Sequence, residues 1–228
     1  MKNPRQSARN LTTLLRKLGK PREPLPLEDG DPITVLVMSF LMWDSTTVRA
    51  NAAYKRLMDR VVDYNDLRVS MPHELVEWIG PRYPQVLDRC QRLRAALRHM
   101  YKREHAVSLD RLKDMGRREV KSYLRSLDGI TPYVADRVTL LCFDAHCVPV
   151  DVRLHRSLVK AGVGDETVEI ADMASWLARQ VKAAEAVVTH RALQTWADKV
   201  GSGTGRAAPT GAPAKKKKKT MTTARKKK

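Results

Sequence analysis

The chain has only three cysteines in 228 residues, Cys90, Cys142 and Cys147. They are too few and too scattered for a disulfide framework and suit a reduced, intracellular protein. No apolar run approaches the roughly 18–20 residues that a bilayer span needs, so no membrane association is expected. The N-terminus lacks the apolar core of a signal peptide, and export is not expected either. Aromatic residues make up only 5% of the chain. Leu, Val, Ala and Met carry the apolar content instead, which favours helix. The six histidines show no metalloenzyme spacing, and there is no glycine-rich loop for nucleotide phosphates. Cys142, His146 and Cys147 crowd three potential ligands into one apolar helix end, a poor metal site. No metal is expected.

Acid is what both ends lack. Residues 1–22 carry seven Lys/Arg and residues 201–228 carry ten, with no Asp or Glu in either stretch. Residues 23–200 hold 26 basic and 25 acidic side chains, so the net charge of +18 sits in the tails. A sequence-independent attraction to a polyanion, most simply nucleic acid, follows from that distribution. A tail that only maintains solubility is the bland alternative.

Punctuation divides the chain into short helices. Leu11, Leu14, Leu15 and Leu18 have helical spacing on a basic background, and Pro21, Pro24 and Pro26 end that pattern. Residues 1–30 are therefore a basic N-terminal helix and a proline-rich linker. From Ile33 to Met42 the chain is almost wholly apolar, which suits a buried helix with a strand as the competing reading, and Asp44-Ser45-Thr46 reads as the N-cap of the next helix. Residues 64–80 supply shorter pieces, and Val86 to Tyr101 has the periodicity of a long amphipathic helix. Helices are also expected at 117–127, 168–181 and 183–200. Residues 201–228, rich in Gly, Ala, Pro and Lys, cannot bury a core and are expected to be disordered, with Lys215, Lys216, Lys217, Lys218 and Lys219 as a non-specific tether to a polyanion.

The most informative stretch is residues 127–156, LDGITPYVADRVTLLCFDAHCVPVDVRLHR. Gly129 follows the periodic Val120, Leu124 and Leu127 and reads as a helix stop. Thr131 stands where an N-cap belongs, and Pro132 occupies the first helical position. Two helices joined so tightly form a hairpin, and its turn offers backbone N–H groups beside a helix N-terminus, a seat for phosphate. Asp151 then precedes another helix, 22 positions after Gly129.

This stretch resembles the helix-hairpin-helix glycosylases of the endonuclease III type, whose pattern is roughly LPGVGxKTA, an apolar helix, then VDTHVxRV. Leu127, Gly129, Ile130, Ala135, Val138, Val150, Asp151 and Arg156 stand in matching places. The similarity continues more weakly through residues 31–200. It implies an all-α domain of two helical lobes sharing one cleft, with double-stranded DNA as partner and a flipped nucleotide between the lobes. In that family the carboxylate matching Asp151 stabilises charge on the sugar and positions or activates the nucleophile. An ordinary N-cap role for Asp151 is the alternative, and the two are compatible.

Departures from the family pattern shape the rest of the reading. The lysine that forms a Schiff base in bifunctional members is replaced by Tyr133, and a phenol cannot form an imine. Tyr133 either lines the nucleotide pocket or packs at the lobe junction. Thr131 replaces the second hairpin glycine, and Arg153 replaces a histidine two places after the aspartate. Where many relatives read SxQxTD, this chain reads SFLMWD, which puts Leu41 at the gap-filling glutamine and Trp43 at the threonine. Leu41 is either a wedge between bases or core. No cysteine follows Cys147, so the family's four-cysteine iron–sulfur motif is missing and no cofactor is expected.

The expected DNA contacts are therefore Leu127, Gly129, Ile130, Thr131, Pro132, Leu41, Trp43 and Arg153, together with the lysine tail. The expected protein is a monomeric, cytoplasmic, nucleoid-associated DNA glycosylase without lyase activity, using Asp151. The alternative is a non-catalytic DNA-binding or nucleoid protein on a glycosylase scaffold. An RNA-binding protein has only charge in its favour.

Overall fold

Proline opens four of the helices, and a short polar side chain precedes most of their starts. In the computed structural model, which describes residues 3–19, 24–28 and 31–201, the chain forms eleven α-helices and two short 3-10 turns, with no strand among the described residues. They are α1 (Pro4–Leu18), α2 (Pro32–Met42), α3 (Thr47–Met58), α4 (Tyr64–Val69), α5 (Pro72–Ile79), α6 (Val86–Glu104), α7 (Arg117–Arg125), α8 (Pro132–Cys142), α9 (Val152–Lys160), α10 (Ile170–Gln180) and α11 (Ala186–Gly201). Pro4, Pro32, Pro72 and Pro132 sit where a missing N–H leaves no bond unmade. The side chains of Asn3, Asp31, Thr46, Asp63, Thr131 and Asp151 accept N–H groups of the first turns that follow them. No helix among the described residues is long and apolar enough to cross a membrane.

Two apolar cores organise these helices. The first surrounds α2, whose Val35, Leu36, Val37, Met38, Phe40, Leu41 and Met42 are completely buried. A helix apolar on every side must be covered on every side, and α3, α6 and α8 pack against it. The second core gathers Leu154, Leu158, Met173, Leu177 and Leu193 from α9, α10 and α11. The second helix of the hairpin, α8, serves both: Val134, Ala135 and Val138 face the first core and Leu140 the second.

The division expected at residue 31 does not leave the N-terminal helix standing apart. Leu11 is buried in the second core with Ala8, Leu14, Leu15 and Leu18 packed around it. The Asn10 amide donates to the Gly162 carbonyl at 2.7 Å. Helices α1 and α11 thus build the second lobe together, because the leucine face of α1 finds its cover on α11. The boundary near residue 200 and the lysine run 215–219 lie at or beyond the edge of the described residues.

Buried charge adds a third tie. Glu28 Oε2 accepts from Arg191 Nε at 2.6 Å, and Arg137 on α8, fully buried, lies 3.8 Å from Glu28 Oε1 while donating to Ser39 Oγ at 2.9 Å. His190 is buried nearby, and desolvation followed by the charges of Arg137 and Arg191 pushes its pKa down to about 3. It is held neutral. Breaking such a pair leaves an uncompensated charge inside the protein, which typically costs 3–5 kcal/mol.

Candidate active site

The hairpin is fixed by one glycine. Gly129 has φ +74°, and a Cβ there would stand 2.7 Å from the Arg92 carbonyl oxygen of α6. Only a residue without a side chain lets the turn lie this close to a neighbouring helix. The Asp128 N–H donates to His99 Nδ1 at 3.0 Å, and the Ile130 N–H to the Leu127 carbonyl at 3.3 Å. Leu127 anchors the turn in the first core, Pro132 is exposed, and Thr131 Oγ1 accepts the Val134 N–H at 3.3 Å. The sequence-expected turn of Leu127, Gly129, Ile130, Thr131 and Pro132 is thus one local structure at the start of α8.

Beside it opens a cavity of about 550 Å³ at the junction of the lobes. Trp43, Ile130, Thr131, Pro132 and Tyr133 line one side, Asp151 and Val152 the base of α9, and Ile170, Ala171 and Ala174 the α10 side. Asp151 is only 3% exposed. Its Oδ1 accepts the Leu154 N–H at 2.8 Å, the N-cap bond, and its Oδ2 accepts the Asp44 N–H at 3.0 Å. Asp44 answers by accepting the Val152 N–H on its Oδ1 at 2.9 Å. Burial, then the neighbouring Asp44 carboxylate, push the Asp151 pKa up to about 6. Asp44 is itself raised, again chiefly by burial.

Tyr133 lines the same cavity yet is 3% exposed. Its hydroxyl donates to Gln194 Oε1 at 3.3 Å, and burial raises its pKa far above the ordinary phenol range. It stays a neutral donor. Gln194 Nε2 in turn donates to Asp198 Oδ1 at 3.1 Å, and Asp198 Oδ2 accepts the Thr47 N–H at 2.9 Å. The pocket wall is therefore wired to α11 and to the start of α3.

Other expected contacts are placed differently. Leu41 is completely buried in the first core, so in this conformation it presents nothing to a base stack. Arg153 is turned inward: it donates to the carbonyls of Ser45 and Ala197 and pairs with Asp198 at 3.0 Å. It ties α9 to α11 and to the loop before α3. Trp43 remains half-buried on the cavity wall, its ring facing Arg89 and Arg92 at 5.4 and 5.6 Å. Arg89, fully buried, donates to the carbonyls of Phe40, Trp43 and Pro84 and thereby fixes the end of α2.

Several residues of the cavity were not singled out in the sequence. Asp136 is buried on α8 and accepts from Arg125 at 3.0 Å, with Lys121 Nζ 3.9 Å away, and all three line the cavity. The pattern VAD within the hairpin helix was the one available signal for Asp136, and nothing distinguished it from a surface acid. The cysteines do not converge on a metal-binding arrangement. Cys90 belongs to the first core, Cys147 to the second, and burial pushes all three thiols up to about 12. No group of three potential metal ligands occurs among the described residues.

No family model matches the chain, and no curated protein matches it in sequence. Solved structures do match in shape. A non-covalent endonuclease III–DNA complex superposes with a TM-score of 0.65 at 17% identity, over 86% of each chain. A thermostable thymine-DNA glycosylase gives 0.60 at 14% identity over 85% of this chain and 86% of that one. A 3-methyladenine DNA glycosylase from H. pylori, bound to 1,N6-ethenoadenine, gives 0.61 at 14% identity over 86% of this chain and 98% of its own. With the glycine-anchored hairpin, the shared helix α8 and the aspartate at the lobe junction, these likenesses establish that the chain has the two-lobed, all-helical fold of the helix-hairpin-helix DNA glycosylases.

Proposed function

We propose that this protein binds duplex DNA and acts as a monofunctional DNA glycosylase of base-excision repair, removing a damaged or mismatched base. The observation that carries the reading is the buried Asp151 carboxylate on the wall of a cavity roomy enough for a nucleobase. With its pKa raised only to about 6, the carboxylate is mostly ionised at pH 7. An anion in a desolvated site stabilises positive charge more strongly than one in water. As the bond from the sugar to the base breaks, its electron pair leaves with the base and the sugar becomes cationic. Asp151 faces that charge, and water adds to the same carbon while giving its proton to the carboxylate. Tyr133, at the place of the family's lysine, has no amine to capture the sugar, which supports hydrolysis without strand cleavage. The reading requires no cofactor and a single copy of the chain, and the lysine-rich tail supports a nucleoid-associated, cytoplasmic setting.

A second reading is favoured by one detail. Both Asp151 oxygens are already committed to backbone N–H groups, as a purely structural cap would have them. A non-catalytic DNA-binding protein on this fold is consistent with that bonding.

The deciding experiment incubates the protein with duplexes each carrying one modified or mismatched base, and compares it with Asp151→Asn. Alkali reveals abasic sites, and borohydride traps any imine. Base release that disappears in Asp151→Asn, without a trapped adduct, is expected. Tight binding to every duplex with no release from any establishes the non-catalytic reading instead.

A further inference from the structure

One face of α6 carries cations that no carboxylate among the described residues pairs with. Arg94, Arg98 and Lys102 recur every four residues and stand one above another on the helix. At 1.5 Å rise per residue, their backbone positions are about 6 Å apart along the axis, a spacing from which their long side chains can reach neighbouring phosphates of one strand. With Asp128 and His99 they line a groove of about 320 Å³. Cations on other faces nearby are matched: Arg92 pairs with Asp88, Arg111 with Glu104 and Arg125 with Asp136. Among the described residues, Arg94, Arg98 and Lys102 form no such pair. Arg94 Nη2 meets only the Met71 sulfur, at 3.6 Å, and its Nε is buried without a partner.

The groove is continuous with the hairpin. Gly129 rests on the Arg92 backbone and the Asp128 N–H is bonded to His99, so the turn and the row of cations share one helix as a rigid support. Asp128 closes the groove at its hairpin end, its side chain mostly in solvent. We propose that this groove holds the backbone of duplex DNA flanking the target site, extending the hairpin's phosphate seat along α6. The proposal rests on the DNA-binding part of the functional reading, but not on catalysis. The partner is set by charge and spacing: a row of unpaired cations at phosphate-like intervals takes a regular polyanion, without reading its sequence.

The test uses full-length protein, with Arg94→Gln/Arg98→Gln/Lys102→Gln and the milder Arg98→Gln/Lys102→Gln, which alters exposed side chains only. Affinity for undamaged duplex is measured by fluorescence anisotropy across a salt series. The triple variant should flatten the slope of log affinity against log salt by about 2–3 and the double variant by about 1–2. At about 0.1 M salt the triple variant should bind on the order of 10–100-fold more weakly, equally for damaged and undamaged duplexes. The difference from wild type should vanish once the duplex is shortened on one side of the lesion.

An unaltered slope and affinity in both variants overturns the proposal, as does competition by polyglutamate equal to that by DNA of the same charge. Absence of base release from wild type, with the slope difference intact, removes the glycosylase reading and leaves the groove standing. Intact base release with an unaltered slope removes the groove alone.

Discussion

Asp44 and Asp151 bind one another's chains across the lobe junction: the Asp44 N–H donates to Asp151 Oδ2 at 3.0 Å, and Asp44 Oδ1 accepts the Val152 N–H at 2.9 Å. The exchange fastens the end of α2 to the start of α9 and places two carboxylates in a poorly hydrated site. Asp44 holds φ +52° to do so, a conformation that Asp and Asn tolerate better than other residues with side chains.

Asp44→Asn should therefore keep the backbone and the bond to Val152 while deleting the charge. With its like-charged neighbour gone, Asp151 should ionise more readily, and the acid limb of a base-release pH profile should move to lower pH. Asp44→Ala removes the acceptor of the Val152 N–H as well, for about 1–3 kcal/mol, and puts alanine in the left-handed region that Asp tolerates better, for on the order of 1 kcal/mol more. Melting curves and pH–rate profiles of the two variants separate the effects. An acid limb that stays in place in Asp44→Asn shows that the two carboxylates are not coupled.

Asp151 also makes a stability prediction with a definite sign. Its folded pKa, about 6, lies above the unfolded value near 3.8. Between those values the folded state holds the proton that the unfolded state has lost, so this group's contribution is full below pH 4 and falls as pH rises to 6. The size is about 3 kcal/mol. Asp151→Asn cannot titrate, so wild type should lose about that much stability relative to the variant between pH 4 and pH 7. Denaturant melts at both pH values measure the difference directly. A constant gap between the two proteins contradicts the buried, strained carboxylate.

What the sequence disclosed, and what it hid, follows from how far apart the interacting residues lie. Thr131, Pro132 and the Asp151 bond to Leu154 act on backbone within a few residues of themselves, so they show in a linear reading, whereas the approach of Gly129 to Arg92 and the second Asp151 bond, to the Asp44 N–H, do not. Asp44 reads locally as part of a cap, but its acceptor role lies 108 residues away at Val152. Arg153 looks like a free cation in sequence, yet Asp198, 45 residues on, turns it inward. The leucine face of α1 was evident from its spacing, but not that α11 would cover it. Asp136 was invisible because a buried acid and a surface acid look the same until the packing partner is known.

Gly129→Ala tests the hairpin as a seat for DNA. The new Cβ meets the Arg92 carbonyl oxygen at 2.7 Å and its Cα at 2.9 Å, both backbone atoms, at φ +74°. The turn must shift away from α6. A loss of about 2–4 kcal/mol is expected from strain and lost packing, seen as a fall in melting temperature of roughly 5–15 °C for a domain of this size. DNA affinity should fall in the folded fraction too, because the turn's N–H groups no longer stand where α6 holds them. Unchanged affinity at a temperature where the variant is fully folded separates the hairpin from DNA binding.

Tyr133→Lys asks whether the site lacks only an amine to become a lyase. Tyr133 is enclosed, and its hydroxyl reaches Gln194 Oε1 at 3.3 Å, so a lysine there would lose hydration and find one amide oxygen to donate to. Desolvation disfavours the ammonium and lowers its pKa, which frees the lone pair that attacks a sugar carbon. The substitution should cost stability, on the order of 2–4 kcal/mol, because a large buried aromatic is replaced by a flexible cation. If Asp151 breaks the bond to the base in wild type, the variant should convert part of the product into an adduct that borohydride traps, and strand cleavage should accompany base release without alkali. Wild type should yield neither. A trapped adduct in wild type means that another amine reaches the sugar, and Lys121, on the cavity wall 3.9 Å from Asp136, is then the first to replace. Base release by Tyr133→Lys with no adduct means instead that the side chain at this position faces the lobe junction rather than the reacting carbon.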